Sequence, residues 1–156
     1  MKINNTFKLI TAIAVSELAG IAGSFFTVSS IPTWYSTLNK PVLNPPAWLF
    51  GPVWITLYAL MGVSLWLVWK SNSQEKKRAI QLFAIQLALN AIWSPVFFGA
   101  HSIGSALAII VLLWAAIILT IKIFRKVSRA AGWLLAPYIA WVSFALYLNL
   151  AFWTLN

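Results

Sequence analysis

Trp34-Tyr35-Ser36-Thr37-Leu38-Asn39-Lys40-Pro41-Val42-Leu43-Asn44-Pro45-Pro46 decides how the rest of the chain is read. Its prolines stiffen the backbone and its two leading aromatics add bulk, which suits a lid or wall better than a slack tether. An apolar segment long enough to cross a bilayer lies on each side, residues 7–28 before it and 48–69 after it.

Working outward, residues 79–100, 103–124 and 132–153 are three further apolar stretches, each near the ~20 residues that a helix needs to cross the hydrocarbon core. Hydrophobic residues make up 62% of the chain and charged ones 8%, where soluble domains carry roughly a quarter charged. The alternation that barrel strands require is missing. The expectation is an all-α integral membrane protein, a five-transmembrane-helix bundle with residues 1–156 as a single domain and loop 29–47 as a lid. Almost no chain is left for a soluble domain.

The net charge of +9 would suggest nucleic acid in a soluble protein, but its distribution argues for a bilayer instead. With five spans, Lys2, Lys8, Lys70, Lys76, Lys77, Arg78, Lys122, Arg125, Lys126 and Arg129 fall on one side and Lys40 alone on the other. The positive-inside rule then puts the N-terminus in the cytoplasm, with loop 29–47 and the C-terminus outside. The absence of cysteine excludes disulfides and thiolate chemistry. Residues near the N-terminus resemble a signal peptide superficially. Glu17 interrupts the apolar run and no small-x-small cleavage site precedes a polar chain, so an uncleaved first helix is expected.

Ala12, Ser16, Gly20 and Ser24 recur every four residues in the first helix, a small stripe that lets a neighbour approach closely. Beside it lies Glu17, read either as a functional carboxylate or as a neutral group hydrogen-bonded within the bundle. Phe50, Trp54 and Tyr58 share one face of the second helix, which opens with Pro45-Pro46. Trp48, Trp66 and Trp69 suit an interfacial belt, whereas Trp54 lies too deep for that and its indole N–H needs a partner. Gln86, Asn90 and Ser94 form a polar ridge on the third helix, equally consistent with a cavity wall and with interhelical bonding. Pro95 is expected to kink that helix.

The fourth helix is nearly featureless and reads as packing or lipid-facing surface. His101, in the short loop before it, has no second metal-binding side chain nearby and is read as solvated. On the fifth helix Tyr138, Trp141, Ala145 and Asn149 fall on one face. Three helices therefore carry complementary stripes, of rings and of amides, that lipid would not reward.

Several motifs together resemble the TspO/MBR family, the translocator and tryptophan-rich sensory proteins. They are Trp34-Tyr35, Lys40-Pro41, Pro45-Pro46, Gly51-Pro52-Val53-Trp54 and Leu57-Tyr58-Ala59-Leu60-Met61-Gly62, then Leu89-Asn90-Ala91-Ile92-Trp93-Ser94-Pro95-Val96-Phe97-Phe98-Gly99. Pro137-Tyr138-Ile139-Ala140-Trp141, Phe144-Ala145 and Leu148-Asn149 complete the set, in family order over nearly the whole chain. The resemblance implies a pocket beneath the first loop that takes tetrapyrroles such as protoporphyrin IX, or other flat lipophilic ligands, in a bacterial membrane. Matched position by position, it implies Tyr35, Trp54, Asn90, Ser94, Trp141, Ala145 and Asn149 as ligand contacts. Tyr58 and Tyr138 join that set from the stripes.

Two departures stand out. No Lys or Arg follows Tyr147, so the cholesterol motif proposed for animal members is incomplete, and Ala108-Ile109-Ile110 is wholly apolar where several animal members have an acid. No obligatory cofactor and no metal are expected, and axial haem ligation is disfavoured by the lack of a histidine, cysteine or methionine in the expected cavity. The chain lacks a nucleophile–base pair, so any chemistry would come from the ligand and light, with Trp54 and Trp141 as photochemical partners. The alternative is a proton-coupled exporter of flat lipophilic compounds using Glu17. Small residues on the first helix, and Gly104 with Ala108 on the fourth, permit a homodimer without selecting one.

Overall fold

Asn4 opens the first helix by accepting a hydrogen bond from the Thr6 N–H on its side-chain oxygen, at 3.1 Å, which satisfies one of the donors that a helix start leaves free. The computed structural model describes residues 4–156; Lys2, counted in the charge asymmetry, lies outside them. Five helices among the described residues are long and apolar enough to cross a membrane: Asn5–Ser30, Ala47–Trp69, Lys76–Gly99, Ile103–Val127 and Arg129–Leu155. The protein is a multi-pass integral membrane protein with an all-α, five-span bundle, and no strand occurs among the described residues.

The elements in chain order are α1 (Asn5–Ser30), α2 (Trp34–Thr37), α3 (Phe50–Trp69), α4 (Lys76–Ser94), α5 (Ile103–Val127), α6 (Arg129–Leu134) and α7 (Ala136–Leu155). A 3-10 turn, Ala47–Leu49, leads into α3 behind Pro45-Pro46. The connector expected as a loop over residues 29–47 contains α2, and α1 reaches Ser30.

Proline sets two of the irregularities. Pro95 has no N–H for the next helical bond, and α4 widens there into a π-turn, Pro95–Gly99, closed by Ala100 N–H to the Pro95 carbonyl at 2.8 Å. At Pro95, where a kink is expected, the helix changes from α to π hydrogen bonding. Pro137 fits the first turn of a helix, and the last span breaks at Leu135 into α6 and α7. Ser128 caps α6 by accepting from the Ala131 N–H at 3.3 Å.

α1 packs on α3 and α4, α5 packs on α4 and α7, and α6 lies against α3 and α5. Gly62 makes the α1–α3 approach: a Cβ there would meet the backbone of Ile13. One core cluster includes Met61, Phe83, Ile117, Phe124, Leu135 and Val142, with Phe83 and Phe124 stacked at 5.9 Å. A second, of Tyr35, Phe97, Ala106, Leu148 and Phe152, lies at the loop end. Polar ties cross the helices where lipid offers no partner: Ser64 Oγ donates to the Ala131 carbonyl at 2.7 Å and Trp114 Nε1 donates to Ser143 Oγ at 2.9 Å.

Candidate ligand cavity beneath the first loop

The small stripe of α1 does two jobs. Ala12 and Ser16 are buried, while Gly20 and Ser24 line a cavity of about 500 Å³. The volume falls in the usual range for small-molecule sites, about 300–1,000 Å³. α1 supplies one wall, the first turns of α3 another, and α4, α5 and α7 the rest. Ile21, Val28, Trp48 and Ile55 line it while remaining exposed on the bundle surface, so the cavity opens between α1 and α3.

The aromatic wall comes from α3 and α7. Trp54 stacks on Tyr58 with centroids 5.3 Å apart, and Phe50 meets Trp141 edge-on at 6.0 Å. Such pairs add about 0.5–1.5 kcal/mol beyond the area they bury. Gly20 makes room for the Tyr58 ring, because a Cβ there would collide with it.

Tyr58 begins a directed chain of buried hydrogen bonds. Its hydroxyl donates to Asn90 Oδ1, Asn90 Nδ2 donates to the Tyr138 hydroxyl at 3.0 Å, and Tyr138 donates to Gln86 Oε1 at 2.9 Å. Gln86 Nε2 ends the chain, buried and without a partner among the described residues. Ser94 is tied to α1 instead: its hydroxyl lies 3.1 Å from the Gly23 carbonyl and 2.7 Å from Thr27 Oγ1. The polar ridge of α4 therefore both lines the cavity, at Asn90 and Ser94, and binds the bundle together.

Over the cavity, Tyr35 is buried between Phe98 and Phe152, at 5.6 and 5.4 Å, and its hydroxyl donates to Asn44 Oδ1 at 2.7 Å. Burial pushes the Tyr35 phenol above its ordinary value of 10.0. Trp34 stacks on His101 at 4.3 Å and 12°. His101 holds a left-handed φ of 55°, unusual for a residue with a side chain. Lys40 Nζ lies 5.5 Å from the Tyr35 ring centre.

Of the residues singled out from sequence, the structure brings Tyr35, Trp54, Tyr58, Asn90, Ser94, Trp141 and Ala145 together around the cavity. Tyr138 and Asn149 are not in its lining. Tyr138 is 1% exposed and lies behind Asn90 in the hydrogen-bonded chain. Asn149, also 1% exposed, accepts from Trp93 Nε1 at 3.0 Å and donates to the Ile103 carbonyl at 3.0 Å, which joins three spans. Glu17, the residue of the alternative exporter reading, also lines the cavity, as do Gly20, Phe50, Trp93 and Phe98, which the sequence did not mark as ligand contacts. Trp93 was within reach, one helical step from the Asn90 ridge. No group of His, Cys, Asp or Glu side chains that could hold a metal occurs among the described residues.

Fold and site together define a five-span membrane protein with an aromatic intramembrane cavity under a proline-stiffened loop. The chain belongs to the TspO/MBR family, whose model matches residues 12–154. It is 42% identical over 152 residues to the tryptophan-rich protein TspO of Archaeoglobus fulgidus, covering 97% of this chain and 99% of that one. The tryptophan-rich protein TspO of Chlorobaculum tepidum is 47% identical over 152 residues, 95% of each chain. The translocator protein of Homo sapiens is 41% identical over 143 residues, 90% of this chain and 85% of the human one.

Proposed function

We propose that this protein is a membrane sensory or translocator protein that binds a tetrapyrrole, with protoporphyrin IX as the reference ligand. The observation that carries the reading is the cavity of about 500 Å³ with Trp54 and Trp141 in its wall and Tyr35 above it. A porphyrin is a wide flat ring, and indole faces in an apolar site favour it by stacking and burial. The names of relatives, translocator protein and tryptophan-rich sensory protein, support the sensory or translocator part of this reading. Loop 29–47 acts as the lid, on the outer side of the membrane, and the lysine- and arginine-rich end faces the cytoplasm.

The test is titration of the purified protein with protoporphyrin IX, in the dark and under illumination. Quenching of tryptophan fluorescence reports binding, and loss of porphyrin absorbance reports breakdown. Saturable quenching in the dark supports the reading, and none at ligand excess sinks it. Glu17 in the cavity wall favours a second reading, export of flat lipophilic compounds in exchange for protons. Transport indifferent to Glu17→Gln would remove that one.

A further inference from the structure

The charge pattern of the cavity is one-sided. Among its lining residues Glu17 is the single Asp, Glu, Lys, Arg or His. It lies one turn before Gly20 on α1, the residue against which the Tyr58 ring packs, so the carboxylate and the phenol share one corner. Tyr58 spends its proton on Asn90, which leaves only lone pairs on its oxygen for anything in the cavity. The Trp54 and Tyr58 rings, stacked with an interplanar angle of 27°, supply the faces to which a cation is drawn. A carboxylate, an accepting oxygen and aromatic faces in a low-dielectric site attract positive charge and repel carboxylates.

We infer that this corner of the cavity is a subsite for planar aromatic cations, with Glu17 as the charge partner and Trp54 and Tyr58 as the cation–π surface. The inference concerns which compounds bind, and it holds whether or not the cavity also takes tetrapyrroles or moves its ligand. A ring with a fixed positive charge is favoured over the same ring without one. Anionic groups of any ligand stay away from the Glu17 corner.

The matched probes are N-methylacridinium and acridine, which share one ring system and differ in charge at a pH where acridine is neutral. Protein is reconstituted in nanodiscs of phosphatidylcholine, whose zwitterionic surface does not itself collect the cation. Tryptophan quenching then gives the dissociation constant for each probe. The expected result is a preference of about tenfold or more for the cation in the wild-type protein. In Glu17→Gln the ratio collapses to about one, and in Glu17→Asp, which keeps the charge on a shorter stem, it stays above about threefold. Glu75→Gln, at the far end of the bundle, keeps the wild-type ratio. A wild-type ratio near one overturns the subsite, as does a Glu17→Gln protein, elutable as a single species, that retains the preference. Protoporphyrin IX is titrated in parallel, so that failure of the tetrapyrrole reading appears separately.

Discussion

Asn156 holds Asn39 as a neighbouring strand would: its Oδ1 accepts from the Asn39 N–H at 2.9 Å and its Nδ2 donates to the Asn39 carbonyl at 3.1 Å. Asn39 Nδ2 adds a bond to the Leu155 carbonyl at 3.1 Å. The end of α7 thereby clasps the middle of the loop above the cavity.

Asn156→Ala removes the two side-chain bonds to Asn39, each worth about 0.5–1.5 kcal/mol net, along with the one to the Phe152 carbonyl. Hydrogen exchange at the Asn39 amide should rise by about tenfold, with the amides of α3 unchanged. Unchanged exchange at Asn39 would show that the aromatic contacts of Tyr35 hold the loop without the clasp.

The Tyr35 phenol ionises above the ordinary range because burial opposes its charge. With the folded value raised, its contribution to seating the loop is complete below pH 10 and is lost as the pH rises through that higher value. Ultraviolet difference titration of the wild type against Tyr35→Phe should show a phenolate appearing later than in a free tyrosine. A curve at or below the ordinary value of 10.0 would mean that the ring is solvated.

Two glycines on α3 should answer oppositely to alanine. At Gly62 a Cβ meets the Ile13 backbone, which cannot swing away, whereas at Gly51 nothing lies within 4 Å. Gly62→Ala should lower the thermal midpoint through about 1–3 kcal/mol of overpacking. Gly51→Ala should hold or raise it, since glycine inside a helix costs roughly 0.5–1 kcal/mol relative to alanine. Equal effects would contradict the close α1–α3 approach.

Asn149→Leu leaves the Trp93 N–H and the Ile103 carbonyl without their partner. An unmade buried hydrogen bond costs about 1–3 kcal/mol, so the melting temperature should fall. The further rise on adding saturating protoporphyrin IX should match that of the wild type. A lost ligand-induced rise would return Asn149 to the cavity.

If bound porphyrin reacts with indole under light, the double variant Trp54→Phe, Trp141→Phe should bleach it far more slowly, measured per bound porphyrin at saturation. An unchanged rate per bound porphyrin would exclude both side chains as reaction partners.

Hydropathy made the spans legible because lipid imposes one requirement on every turn of a spanning helix. The stripes were legible for direction but not for depth. A face period says that Trp54, Tyr138 and Asn149 point inward, yet it cannot tell a cavity wall from the packed layer behind it, which is where Tyr138 and Asn149 lie. Gly20 and Ser24 went unrecognised as cavity wall because small side chains read as packing wherever they occur, and at Gly20 the same smallness is what admits the Tyr58 ring beside the cavity. Pro137 carried a readable signal for the break at Leu135, since proline belongs in a first turn. The Asn39–Asn156 clasp joins positions 117 apart, and no local pattern announces such a contact.

The break at Leu135 makes a lever of α7. Its foot is fixed, because α6 is bonded to α3 through Ser64 and the Ala131 carbonyl. Its arm of 20 residues is about 30 Å long at 1.5 Å per residue. A tilt of about 5° at the foot moves Trp141 by under about 1 Å but carries the tip through about 2.5 Å on the same helical rise. Asn156 is at that tip and holds Asn39. On that geometry a shift at Trp141 about the same foot corresponds to about three times the shift at Asn156, and the bonds of Ser143 and Asn149 to the neighbouring spans would have to give for it to occur.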